Sequence, residues 1–175
     1  MRKKTRLLIV LLLMGVLWLA TTLPVSARAE KIPVQGTCTC LAFLDNPDFR
    51  YWIKPDGTME HWRYNPVLFY CDYNDPRLDG YLLAYDSWNT FANDNTPFYA
   101  RTFGKAYSAD EDANIVDLWS GSYHAYYDQD LNYFMDMTWI GSGENQGLVA
   151  RLDLTFASDA FPVIDVVGEL LDPNP

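Results

Sequence analysis

Three cysteines, two histidines and scattered acids are the side chains of this 175-residue chain best able to do chemistry. Cys38 and Cys40 stand two apart, so on a strand they share one face and either can meet Cys71 on a neighbouring strand. Three is an odd number, so one internal bridge leaves one thiol over. A Cys40–Cys71 bridge is the expectation, with Cys38–Cys71 as the alternative. A zinc site on the three cysteines lacks an evident fourth ligand and matches no common structural spacing. His61 and His124 cannot make a three-histidine centre, and a His₂–carboxylate centre needs both at one ion. Their plainer reading is as strand residues on a wet face. The expectation is therefore no metal and no cofactor.

The acids and glycines yield to similarly plain readings. Asp72, Asp75 and Asp79 lack the alternate-residue spacing of an EF-hand loop. Asp110-Glu111-Asp112 could hold calcium loosely, but turn acids of this kind ordinarily serve solubility. Glycoside cleavage would need two of Glu60, Glu144, Glu169 or an Asp to face each other across roughly 5–10 Å. The run Gly141 to Gly147 is one residue too long for G-x-G-x-x-G and lies between strands, so it reads as a hairpin turn with positive φ angles. Ser120 and Ser122 flank a glycine within a strand, without the G-x-S-x-G turn of a serine nucleophile.

Aromatic residues are the remaining signal: 12 Tyr, nine Phe and six Trp. Tyr and Trp join a large apolar body to a polar tip, which suits barrel interiors and the walls of ligand pockets alike. Tyr85, Trp119, Tyr123, Tyr133 and Trp139 are the residues expected to line such a pocket.

The start of the chain is different in kind. Residues 1–6 are basic, residues 7–20 are an unbroken apolar run, and Ala27-Arg28-Ala29 supplies small residues where a signal peptidase inspects them. That order reads as a secretory signal helix over 1–29, cut after Ala29, too short to stay as a bilayer anchor. The expected location is extracellular or periplasmic, and the cut protein is not embedded in a membrane. Five of the 13 basic residues and none of the 23 acidic ones precede Glu30, so the rest of the chain carries eight positive against 23 negative side chains. Such a surface repels phosphate backbones, which excludes nucleic acid as a partner.

Beyond the leader the dominant period is two. In 131–140 the odd positions Leu131, Tyr133, Met135, Met137 and Trp139 are apolar, and in 148–157 the even positions Leu148, Ala150, Leu152, Leu154 and Phe156 are. Further strands are expected over 36–44, 49–54, 58–64, 66–73, 80–88, 98–106, 114–127 and 162–171, separated by turns such as Pro55-Asp56-Gly57, Asn74-Asp75-Pro76, Asn93-Asp94-Asn95 and Ser158-Asp159. Many strands with short links and no crossover helix mean an all-β, antiparallel domain over 30–175. Closure into one barrel removes the Tyr- and Trp-rich edges that an open sheet would expose.

The order of landmarks resembles a group of secreted bacterial proteins and, more distantly, the allene oxide cyclase and dirigent barrels of plants. Gly36-Thr37-Cys38, the segment CDYNDPRLDG from Cys71 to Gly80, Trp119-Ser120-Gly121-Ser122-Tyr123, residues 141–156 and Val166 to Pro173 carry the resemblance. It implies a closed antiparallel barrel of about eight strands with a central cavity, often self-associating. The plant relatives cyclise or steer reactive small molecules there. No motif holding their working residues is matched, so the resemblance names no catalytic residue.

Two functions follow as expectations. The first is a binding barrel for a small apolar or aromatic ligand, or one that self-associates as a homo-oligomer. The second is a cofactor-independent isomerase or cyclase. An outer-membrane barrel is disfavoured by the acidic charge and the end Asn174-Pro175. Pocket polarity separates the first two: an apolar cavity without a carboxylate points to binding, and one buried Asp or Glu beside a Tyr points to catalysis. Export of the full chain is expected to leave a mature protein beginning at Glu30, read by N-terminal sequencing; retention of Met1 would mark an anchor instead.

Overall fold

The computed structural model describes residues 29–92, 98–156 and 163–173. The segment 1–29 expected to be a signal helix, apart from Ala29, and the turns expected at Asn93–Asn95 and Ser158–Asp159 lie outside the described residues. Nine strands follow in order: β1 (Glu30–Phe43), β2 (Arg50–Ile53), β3 (Met59–Tyr73), β4 (Gly80–Phe91), β5 (Phe98–Ala109), β6 (Ile115–Asp128), β7 (Tyr133–Gly141), β8 (Val149–Phe156) and β9 (Val163–Asp172). Among the described residues the helical content is a single 3₁₀ turn, Gly143–Asn145.

Every neighbouring pair is antiparallel, and the sheet closes on itself. The order runs β1-β9-β8-β7-β6-β5-β4-β3, and β3 pairs again with β1. This is a closed antiparallel barrel, as expected, and eight strands make up its wall. β2 is an extra strand laid on the outer end of β3, from Arg50↔Arg63 to Ile53↔Glu60. The two strands expected over 58–64 and 66–73 are one. A bulge between Trp62 and Asn65, with Tyr64 at φ 59°, bends β3 without breaking it.

The inward face follows the alternation. β7 turns Tyr133, Met135, Met137 and Trp139 inward, and β8 does the same with Ala150, Leu152, Leu154 and Phe156. Leu131, expected to begin that strand, instead sits in a turn at φ 65° and is exposed. In β1 the inward set is Val34, Cys38 and Cys40, until an irregularity between Cys40 and Ala42 shifts the phase and brings Phe43 to the same side.

Large side chains fill one end of the barrel. Trp119 and Trp139 lie 6.0 Å apart between ring centroids, packed with Tyr73, Leu148 and Leu170. The β3–β4 turn folds beneath them as a floor, with Leu78 inserted into the core. The Trp119 indole N–H donates to the Arg77 carbonyl at 2.7 Å, and Arg77 pairs with Asp75 at 2.7 Å and with Asp172 at 3.2 Å. Asp75 and Arg77 thus tie the turn to the last strand.

The disulfide corrects an expectation. Cys38, not Cys40, is bonded to Cys71, and Cys40 is a free thiol. Both face inward, but register decides: Cys38 lies opposite Cys71, whereas Cys40 lies opposite Phe69. Peptide mapping without reduction is expected to yield a Cys38–Cys71 linked pair. Cys38→Ala should cost about 2–5 kcal/mol in urea unfolding, and Cys40→Ala less than about 1 kcal/mol.

Candidate functional site: the open half of the barrel

The other end of the barrel is hollow because β5 sends nothing large into it. Its inward positions are Ala100, Thr102, Gly104 and Ala106, facing Met135, Met137 and Leu154 across the interior. The result is a cavity of about 400 Å³, within the range of small-molecule sites. Phe43, Tyr99 and Leu131 line it at its mouth and are exposed there.

One carboxylate enters this space. β4 alternates Leu82, Ala84, Asp86, Trp88 and Thr90 along the cavity wall, so Asp86 takes a position that its neighbours fill with mostly apolar side chains. The Tyr123 hydroxyl donates to Asp86 Oδ1. Gly104 makes that contact geometrically available, since a Cβ there would land on the Tyr123 hydroxyl and on the Tyr85 carbonyl. Burial pushes the Asp86 carboxyl up to about 7, because an apolar cavity penalises its charged form.

Two further phenols and a thiol feel the same surroundings. Tyr127 is pushed up to about 12 and Tyr133 well above the ordinary range, by burial first and by the Asp86 charge second. The Cys40 thiol is raised by the same two causes, which favours its protonated form. Tyr127, Tyr133 and Phe156 form a ring cluster at the wall, with centroids 4.5–5.9 Å apart. Neither phenol oxygen has a hydrogen-bond partner among the described residues.

No family model, no curated protein and no solved structure matches the chain.

Of the five aromatics expected in the pocket, Tyr123 and Tyr133 line the cavity. Trp119 and Trp139 are inward but belong to the packed end, where the floor covers them. Tyr85 faces outward: it is one residue out of phase with Ala84 and Asp86 and packs edge-on against Tyr107 at 6.2 Å. Asp86 is not among the residues that the sequence pattern points to. Its signal is an acid in the even-numbered series Leu82, Ala84, Asp86 and Trp88, obscured because Leu83 and Tyr85 make the other face apolar too.

The remaining candidates are dispersed. His61 stacks on Trp52 at 4.7 Å and contacts Asn89, whereas His124 sits outside beside Asp136 at 3.8 Å. Glu169 pairs with Lys31 on the outer face, Glu144 belongs to the 3₁₀ turn, and Glu60 sits near the start of β3. Asp110 caps its own turn, accepting hydrogen bonds from the backbone N–H groups of Asp112 and Asn114. The glycine turn has the expected positive φ at Gly143 (54°) and Gly147 (95°).

Asp86 carries a consequence for stability. The folded chain keeps its proton up to about pH 7, while an ordinary Asp releases it near 3.8, so stability falls as pH rises through that interval. Asp86→Asn is therefore expected to raise stability at pH 8 by about 1 kcal/mol or more, and the gain should vanish by pH 4, as read by urea unfolding at both values. Gly104→Ala should push the Tyr123 ring off Asp86 and lower stability by about 1–3 kcal/mol.

Proposed function

We propose that the barrel is a small-molecule chamber in which Asp86 acts on a bound apolar ligand, as in cofactor-independent isomerases or cyclases. The observation that carries this reading is one carboxyl group, the only one among the described lining residues, inside a mostly apolar cavity and held by the Tyr123 hydroxyl. A group whose proton comes and goes near neutral pH can both take and return a proton without a cofactor. Binding without chemistry is the second reading. It is favoured by the apolar walls that Met135, Met137 and Leu154 provide.

The ligand's character follows from the walls. Among the described lining residues there is no Lys, Arg or His. Carboxylated or phosphorylated molecules would enter beside Asp86 with no cation to meet them, so a neutral, mostly apolar molecule with one polar group is the best fit. Outside, the inward-outward alternation places Asp136, Arg151, Asp153 and Asp165 on the surface of β7, β8 and β9. That charged wall suits water rather than lipid and agrees with an exported protein; β5, β6 and β7 also expose Phe103, Tyr126, Phe134 and Ile140 on the outer face, apolar area that self-association would cover.

A bicyclic apolar ketone, 2-decalone, makes a suitable probe. Calorimetry is expected to show binding with a dissociation constant of about 1–100 μM. Ala84→Phe should weaken it at least about tenfold by filling the cavity, and Ser142→Ala, in the distant turn, should leave it unchanged. Absence of binding to the wild-type protein would sink the chamber reading.

A further inference from the structure

Resting on the catalytic reading above, we infer that the cavity moves a proton between carbons of an apolar carbonyl compound, with Asp86 carrying the proton and the Tyr127 and Tyr133 phenols holding the carbonyl oxygen.

The arrangement of groups supports each role. Tyr123 donates to Oδ1 of Asp86, which leaves the second carboxylate oxygen to receive a proton from the ligand. Tyr127 and Tyr133 reach the same cavity from β6 and β7, close enough to Asp86 for its charge to act on both. Their rings are fixed by each other and by Phe156. A phenol that does not ionise is a permanent donor, and a donor without a partner in an apolar space complements an acceptor that gains charge. A ketone or aldehyde oxygen is such an acceptor. Two phenols together can hold it as it becomes an enolate.

The step balances without any oxidant or reductant. Asp86 takes the proton from the carbon next to the carbonyl, and the C–H electron pair becomes the carbon–carbon double bond of the enolate. The carbonyl π pair moves to oxygen, where the two phenols donate hydrogen bonds and keep their own protons. Asp86 then returns its proton to carbon. Where the protonated carboxyl first trades its proton with water at the open cavity, return to the same carbon gives exchange with solvent. Return two atoms further along an unsaturated chain gives the conjugated isomer and restores the carboxylate. Tyr123 acts through Asp86 and is a positioning residue.

The facing groups are Cys40 from β1, Asn65 from β3, Thr102 and Gly104 from β5, Tyr123 and Tyr127 from β6, and Tyr133 from β7. None of them carries a positive charge, and burial raises the Asp86 carboxyl, with the Tyr123 hydroxyl as its hydrogen-bond donor.

The test follows deuterium entering the α-positions of 2-decalone in heavy water by NMR, with calorimetric binding measured in parallel. Wild-type protein is expected to accelerate exchange over an equal concentration of acetate, and Asp86→Asn to lose about 100-fold or more while still binding the ketone. Replacing both Tyr127 and Tyr133 by Phe should cost about 10- to 100-fold. Tyr123→Phe should move the midpoint of the pH–rate curve upward, since the carboxylate loses a donor that favours its charged form. Binding without accelerated exchange would overturn the inference and leave the chamber reading standing. Failure to bind would overturn the chamber reading itself. Full exchange in the double Phe variant would remove the phenols from the step. A uniform fall without a shifted midpoint would remove the positioning role of Tyr123.

Discussion

The barrel depends on β1 being paired along both edges. Its first ten residues, Glu30 to Thr39, lie against β9, and the stretch from Gly36 to Phe43 lies against β3, so Gly36 to Thr39 bond on both sides at once. Without that overlap the eight strands would form an open sheet with β1 at one edge and β3 or β9 near the other, and the apolar faces of β7 and β8 would need another layer to cover them. With it, each inward side chain meets another from across the ring. The interior is thereby split from the charged exterior by nothing more than odd and even positions.

Closure fixes the interior, but side-chain size decides how it is used. At one end Trp119, Trp139 and Tyr73 meet Leu148 and Leu170 and exclude water; at the other, the small inward residues of β5 leave the opposite wall unanswered. The same strand residue that opens the cavity also arms it. Gly104 leaves the gap through which the Tyr123 ring crosses β5 to reach Asp86 on β4. A carboxyl placed there without that donor would face the apolar walls alone, at a higher desolvation cost.

Alternation makes the barrel legible in the chain itself. Met135, Met137, Leu152 and Leu154 occupy one phase of their segments against Asp136, Arg151 and Asp153 in the other, which leaves little ambiguity about which side is inside. The site is less legible, for a reason particular to β4. Leu68 and Leu83 form a small outer cluster with Tyr81 and Tyr85, so β4 is apolar on both faces and its phase cannot be read from hydrophobicity. Aromatic content alone therefore draws Tyr85 to the wrong side and passes over Asp86. For Trp119 and Trp139 it finds the correct side of the wall but the wrong height along it, because height depends on which turn forms the floor. The pairing of Cys71 depends on register, and two cysteines of equal phase offer no local means of choosing.

That pair of like-phased cysteines has a meaning for how the chain acquires its shape. Sliding β1 by two residues along β3 would bring Cys40 opposite Cys71 and keep every inward side chain inward, so hydrophobicity alone barely penalises the slip. The same slide would pull β1 out of step with β9, where ten consecutive partners from Glu30↔Asp172 to Thr39↔Val163 must match together. The pairing with β9 therefore acts as proofreader for the register of β1, and the Cys38–Cys71 bond holds that alignment in covalent form.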